Sequence, residues 1–194
     1  MYPYNFKYGQ TVQTNVDGVV ADRGFIAHLT FPTLAAQSIT AVLVATALTT
    51  EVQTITEGIT QPDVPRSVKI KGNAAGITGD VVITGTNVAG EVISETIALN
   101  GDTEVLGNKA FKTITSIQLP VETNAGTDTV SVGTANKLGL PYLLERDTVI
   151  AAYRDNVKEG TDPTVATSTT ALENNTILLN SALNGTDVDV YLIV

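Results

Sequence analysis

Residues 59–99 read ITQPDVPRSVKIKGNAAGITGDVVITGTNVAGEVISETIAL, and this stretch decides the fold. Pro62 and Pro65 fix φ and bias Gln61 and Val64 away from the helical region, so the chain enters residues 67–71 extended. There Val68 and Ile70 point one way and Ser67, Lys69 and Lys71 the other, the pattern of a half-buried strand. Residues 80–85 (DVVITG) follow Gly79 and are positioned to pair with 92–99 across the five-residue loop 86–90. Ile93, Ile97 and Leu99 then share a buried face, on which Glu95 is the exception.

Toward the C-terminus, Asn100-Gly101 is a strong type I′ turn signal, because both residues tolerate the positive φ it demands. It predicts a second hairpin onto residues 102–106. Residues 110–119 (AFKTITSIQL) read as one strand. Phe111, Thr113, Thr115, Ile117 and Leu119 share a face while Ile114 takes the other, which implies burial on both sides. Pro120 stops it. Residues 129–133 add a short strand, and Pro141 bars further pairing after KLGL. Seven short strands between Val52 and Gly133, punctuated about every dozen residues, are the pattern of an immunoglobulin-like β-sandwich lacking the Cys and Trp marks of antibody domains. The expected fold is therefore all-β, with a sandwich core over about 52–141 and additional strands from both terminal segments.

Toward the N-terminus, residues 38–48 (SITAVLVATAL) fit either regular structure by periodicity, and the β-branched continuation TTEVQTITEGI favours strand. Residues 24–31 (GFIAHLTF) read as a strand ending at Pro32, and Val16-Asp17-Gly18-Val19 as a turn. Tyr2, Tyr4, Phe6 and Tyr8 alternate within residues 1–15. An extended segment places the four rings on one side, as a terminal strand held on its own domain or as an arm whose rings contact a neighbour. These four residues are the candidate interface. Residues 16–194 form the β-rich domain. Within it, 142–194 supply strands at 148–153, 164–169 and 176–179, an Asn184-Gly185 turn and the closing run DVDVYLIV. These join N-terminal strands in a second sheet or form a subdomain. In the closing run Val188, Val190, Leu192 and Val194 alternate with Asp187, Asp189, Tyr191 and Ile193, so a one-residue slip would bury both aspartates.

Composition bounds the chemistry. Hydrophobic residues make up 43% of the 194, and charged residues 16%, enough apolar surface to offset the entropy of ordering a core. The formal net charge is −9 and no basic run exists, which argues against nucleic-acid partners. There is no Cys and one His, which removes thiolate chemistry and leaves little for a His-based metal site. No apolar stretch reaches the ~18 residues of a membrane helix and MYPYNFKYGQ has no signal-like core, so the expectation is no membrane partner and synthesis in the cytoplasm.

No catalytic, cofactor or metal residues are expected. Asp17, Asp22, Asp63, Asp80, Asp102, Asp128, Asp162 and Asp187 lie near glycines without forming a calcium loop; turn formation and solvated charge account for them better, with calcium bridging between subunits as the open alternative. A glycosidase pair could draw on Glu91, Glu95 and Glu104, but sequence cannot place them across a cleft. His28 stands in no motif with a nucleophile, so it reads as a structural or surface residue. Nucleotide-binding glycine motifs are missing.

Four pieces in order, QPDVPRSVKI, GDVVITGTNVAGEVISETIALNG, KAFKTITSIQLP and DTVSVGTANKLGLP, cover roughly residues 61–141. This order resembles a recurring pattern in virion structural proteins of tailed bacteriophages. The resemblance implies a non-enzymatic protein assembled in many copies, most like a head decoration (cement) protein that binds the major capsid protein at the outer capsid surface and stabilises the shell. It implies a homo-oligomer, a trimer by analogy. A tail or head-to-tail connector component is the alternative, and a carbohydrate-binding or adhesion sandwich is another.

Overall fold

The computed structural model describes residues 11–13, 15–22, 24–124 and 126–194. Strands follow in chain order as β1 (Thr11–Gln13), β2 (Val20–Asp22), β3 (Ile26–Leu34), β4 (Ser38–Ala47), β5 (Gln53–Ile55), β6 (Arg66–Gly72), β7 (Asp80–Thr86) and β8 (Val92–Ala98). Next come β9 (Val105–Phe111), β10 (Thr113–Leu119), β11 (Thr129–Gly139), β12 (Val149–Arg154), β13 (Val157–Lys158) and β14 (Thr164–Ala166). A 3-10 turn (Leu172–Asn174), β15 (Thr176–Leu178) and β16 (Thr186–Ile193) complete the described chain. The protein is all-β, built from several antiparallel sheets. Among the described residues no helix is long and apolar enough to cross a membrane.

Two sheets enclose the first core. One has the order β5-β10-β7-β8, and the other carries β4, β11, β6 and β9 side by side. Their inner faces bury Val68, Ile70, Val81, Ile83, Ile93, Ile97, Ile117 and Val132. A second core lies beside it, between the sheet β13-β12-β16-β3 and the far end of β11 with β15, and buries Leu34, Leu138, Ile177, Val188, Val190 and Leu192. β11 serves both. Along one of its sides β4 pairs with residues 129–134 and β15 with 137–139, so a single eleven-residue strand runs from one core into the other.

The closing run behaves as its alternation predicts: Val188, Val190 and Leu192 are buried, and β16 pairs with β3 as well as β12. The β7–β8 hairpin also forms, with an unbroken register from Asp80↔Ala98 to Thr86↔Val92.

Several expectations are corrected. β6 is buried on both faces, not half-buried: Ser67 and Lys69 are as enclosed as Val68 and Ile70. The segment between β3 and β4 reaches it, with Lys69 Nζ donating to Glu104 (2.9 Å) and Gln37 (3.5 Å). Residues 110–119 are not one strand. The chain turns at Lys112, whose N–H bonds Thr86 O, leaving Phe111 in β9 of one sheet and Thr113 in β10 of the other. A bulge at Thr115 then shifts the side-chain parity, so Ile114, Ile117 and Leu119 all face the same core. Gln61 spans the irregularity like a short strand, donating to Ile114 O and accepting from Ile114 N.

Asn100-Gly101 does not close a type I′ hairpin. Only Gly101 has positive φ (58°), and the turn carries the chain from β8 across to β9 in the opposite sheet. Glycine is required there because a Cβ would lie 2.5 Å from Ala75 O. β3 continues past Pro32 to Leu34. This is tolerated because β3 is an edge strand, and a bulge at Pro32-Thr33 (Thr33 φ 47°) takes up the extra residues. β11 likewise outruns its predicted end at Gly133.

Glu95 explains how an inner-face carboxylate is accommodated. It reaches from β8 to the open edge of β9, where Oε1 accepts from the Asn108 N–H (2.6 Å) and the Lys109 N–H (3.4 Å). Burial, the largest influence, pushes its carboxyl above the ordinary range, and those hydrogen bonds with the Lys109 and Lys137 charges pull back without cancelling it. A folded-state value above the unfolded one stabilises most below the unfolded value, and that contribution is lost as pH rises through the folded one. Glu95→Gln keeps the acceptor and removes the titration. Urea unfolding at about pH 4 and about pH 7 is therefore expected to show a smaller loss of stability at the higher pH for the variant than for the wild type.

Candidate interaction surface

The sheet β13-β12-β16-β3 packs one face on the second core and, among the described residues, leaves the other open. In β16 the alternation that buries Val188, Val190 and Leu192 turns Asp187, Asp189, Tyr191 and Ile193 outward. In β3 it turns out Ile26, His28 and Thr30. Reciprocal backbone bonds between Phe25 and Val194 set the phase of the ladder. Ile26–Ile193, His28–Tyr191 and Thr30–Asp189 thereby fall at its non-hydrogen-bonded positions, where facing side chains come closest.

The face grades along its length. At one end Ile26 (68% exposed), Leu143 (53%) and Ile193 (43%) border an open cleft whose rim carries Glu145 and Arg146. In the middle the His28 and Tyr191 rings stack at 4.4 Å with 3° between their planes, and Tyr153 meets Tyr191 edge-on at 5.8 Å. Beyond them lies a hollow lined by Tyr153, Asn156, Asp189 and Tyr191.

Asp189 organises the polar part. Its Oδ1 binds His28 Nε2 and accepts from Thr30 Oγ1, each at 2.7 Å. The Thr30 hydrogen bond, then that of His28, hold its carboxyl below the usual aspartate range against a weaker opposing effect of burial. This is not a nucleophilic relay. A catalytic triad needs the imidazole to bridge carboxylate and hydroxyl through its two different nitrogens. Here Thr30 gives its proton to the carboxylate, and the imidazole nitrogen nearest Thr30, at 3.4 Å, is the one already on Asp189. The cluster fixes rings on a surface.

No protein-family model, no curated protein and no solved structure matches this chain.

The other residues singled out from sequence are dispersed. Glu91 accepts from Asn87 Nδ2 in the β7–β8 loop, Glu95 holds the β9 edge, and Glu104 pairs with Lys69 at 2.9 Å. Asp128 accepts from the backbone of Thr123 and Asn124, Asp187 from that of Thr33, and Asp63 binds Arg66. Among the described residues no three His, Asp or Glu side chains converge as a metal site. Tyr2, Tyr4, Phe6 and Tyr8 lie outside the described residues. Sequence reasoning missed Tyr191, Ile193, Tyr153, Ile26 and Leu143. The signal was present in DVDVYLIV, whose solvent-side positions hold a tyrosine and an isoleucine as well as two aspartates.

Proposed function

We propose that this chain is a non-enzymatic structural protein of a bacteriophage particle, a decoration protein that docks on the outside of the capsid shell and stabilises it. The observation that carries the reading is the open face of the β13-β12-β16-β3 sheet, where Ile26, Leu143 and Ile193 stand exposed beside a fixed Tyr191–His28 stack. Contiguous apolar and aromatic surface of this kind marks protein contacts, and tyrosines near their centres contribute most. The resemblance of residues 61–141 to virion proteins supplies the particle, the major capsid protein as partner and a trimeric state. An immunoglobulin-like arrangement is part of the same proposal, supported by β6–β9 and β10–β7–β8, which follow the B–E and F–C–C′ pairings of that fold, while β11 departs from it by pairing with β6 and β4 instead of β10.

Binding to undecorated capsids tests it. Tyr191→Ala is expected to weaken binding by about 30-fold, the value of a hot-spot tyrosine worth about 2 kcal/mol, with an unchanged melting temperature because the ring lies outside the core. Deleting residues 1–9 in parallel measures what Tyr2–Tyr8 contribute. Full affinity in both variants removes the reading.

A glycan-binding role is the second reading, favoured by the hollow in which Tyr153 and Tyr191 stand beside Asp189 and Asn156. Aromatic surface with adjacent polar groups suits sugar rings. A glycan array with wild type and Tyr153→Ala separates the two.

A further inference from the structure

Among the described residues, most sheet edges are short, bulged or covered. β5 and β14 have three residues and β13 two. β4 is bulged against β11, and its Val42 carbonyl takes the Thr60 N–H. β3 ends in the Pro32-Thr33 bulge. β9 is shielded by Glu95 on the N–H groups of Asn108 and Lys109 and by Lys137 Nζ on Gly107 O.

β8 differs. It runs seven residues in unbroken register with β7 and contains no Pro, Lys or bulge. The Leu99 N–H to Gly79 O and Asn87 N–H to Glu91 O bonds fix the phase of the ladder, so the odd-numbered residues of β8 face β7. The backbone N–H and C=O groups of Val92, Ser94, Thr96 and Ala98 therefore project from the open side, and all four residues are exposed. Such an edge is a template for another strand.

We infer that β8 pairs antiparallel with β8 of a second copy, making one continuous eight-stranded sheet across a two-fold axis. Two features select a second copy. An antiparallel edge is self-complementary, since the same donors and acceptors meet under a two-fold. The side chains it presents are neutral and small, in a chain of net charge −9 whose copies repel elsewhere. Register follows from Glu95. Centring the axis on residue 95 sets two carboxylates directly opposite, which is unfavourable. Centring it on Ser94 faces Glu95 with Ile93 of the other copy, and it pairs Val92 with Thr96 and Ser94 with Ser94 on the exposed face, β-branched and hydroxyl pairs that stabilise sheets. This pairing is independent of capsid docking, which uses a different sheet, so either proposal can fail alone.

The chain has no cysteine, so an introduced one reports on the contact. Ser94→Cys in the full chain, mildly oxidised at micromolar concentration, is expected to give a disulfide-linked dimer, because hydrogen-bonded residues directly opposite have Cα atoms about 5.5 Å apart, within disulfide reach. Thr96→Cys is expected to crosslink at least tenfold less, its two copies standing about 14 Å apart along the strands. Thr96→Lys places a charge on the open edge while the bonds of the neighbouring Glu95 and Ile97 to β7 persist, and light scattering is expected to show half the wild-type mass. Equal crosslinking at 94 and 96, no crosslinking at 94, or an unchanged mass for Thr96→Lys overturns the inference.

Discussion

Arg66→Leu is expected to remove about 3 kcal/mol of unfolding free energy, read from urea denaturation. Arg66 is 0% exposed and stands at the start of β6, where the two cores meet. Its Nε donates to Ala135 O (2.7 Å), and Nη1 donates to Ala35 O (3.1 Å) and to Asp63 Oδ1 (2.9 Å). Asp63 in turn accepts from the Ala35 N–H at 2.9 Å. One guanidinium thus ties together the β3–β4 segment, the Pro62–Pro65 entry and the irregular middle of β11. Leucine replaces its bulk and leaves two carbonyls and a carboxylate short of donors. Breaking a buried pair costs about 3–5 kcal/mol, and the partial exposure of Asp63 puts this one at the lower end.

The acid limb should change as well. Burial alone raises the Asp63 carboxyl, but the hydrogen bonds from Arg66 and Ala35 and the Arg66 charge together outweigh it and hold the group below its ordinary range. A lowered folded-state value gives stability that is present above the unfolded value and lost as pH falls through the folded one. Without Arg66 its hydrogen bond and its charge no longer oppose burial, so this acid-side loss is expected to shrink in the variant.

Gly133→Ala is expected to cost about 3 kcal/mol, the upper end for overpacking. Gly133 lies where β11 passes the bulged end of β4. An added Cβ would meet Ser38 O and stand 2.5 Å from both Cα and the carbonyl carbon of Ile39, all backbone atoms that no rotamer change can move. Relief requires parting β4 from β11, which opens the first core at Val42 and Leu43. Gly160→Ala is the control. Nothing lies within 4 Å of its added Cβ and its φ is not positive, so its unfolding free energy should stay within about 0.5 kcal/mol of wild type. Equal stability of the two variants would show that the β4–β11 approach is looser than described.

Local alternation made β16 and the β7–β8 hairpin legible, because a strand with one buried face carries its register in its own residues. What alternation cannot carry is which sheet a strand joins. Residues 110–119 keep a consistent pattern through Lys112 although the chain changes sheet there, since Phe111 and Ile117 face the same core from opposite sides. Lys69 reads as solvent-facing because its polarity is visible in the sequence while Gln37, which meets it from thirty-two residues earlier in the chain, is not. The exposed aromatic cluster was hidden for a related reason. Tyr191, His28 and Tyr153 come from three strands far apart in sequence, and only the pairing of β16 with both β3 and β12 assembles them.

That same pairing imposes an order in time. Ile26 must find Ile193, so the loop to be closed spans nearly the whole chain, whereas the β7–β8 hairpin needs only its own five-residue turn. During synthesis every strand of the first sandwich is made before β16, and β3 waits with its apolar side unmatched until β16 arrives. The open face of the β13-β12-β16-β3 sheet is thus assembled later than the first sandwich, so a chain that displays it has already made both sheets of that core.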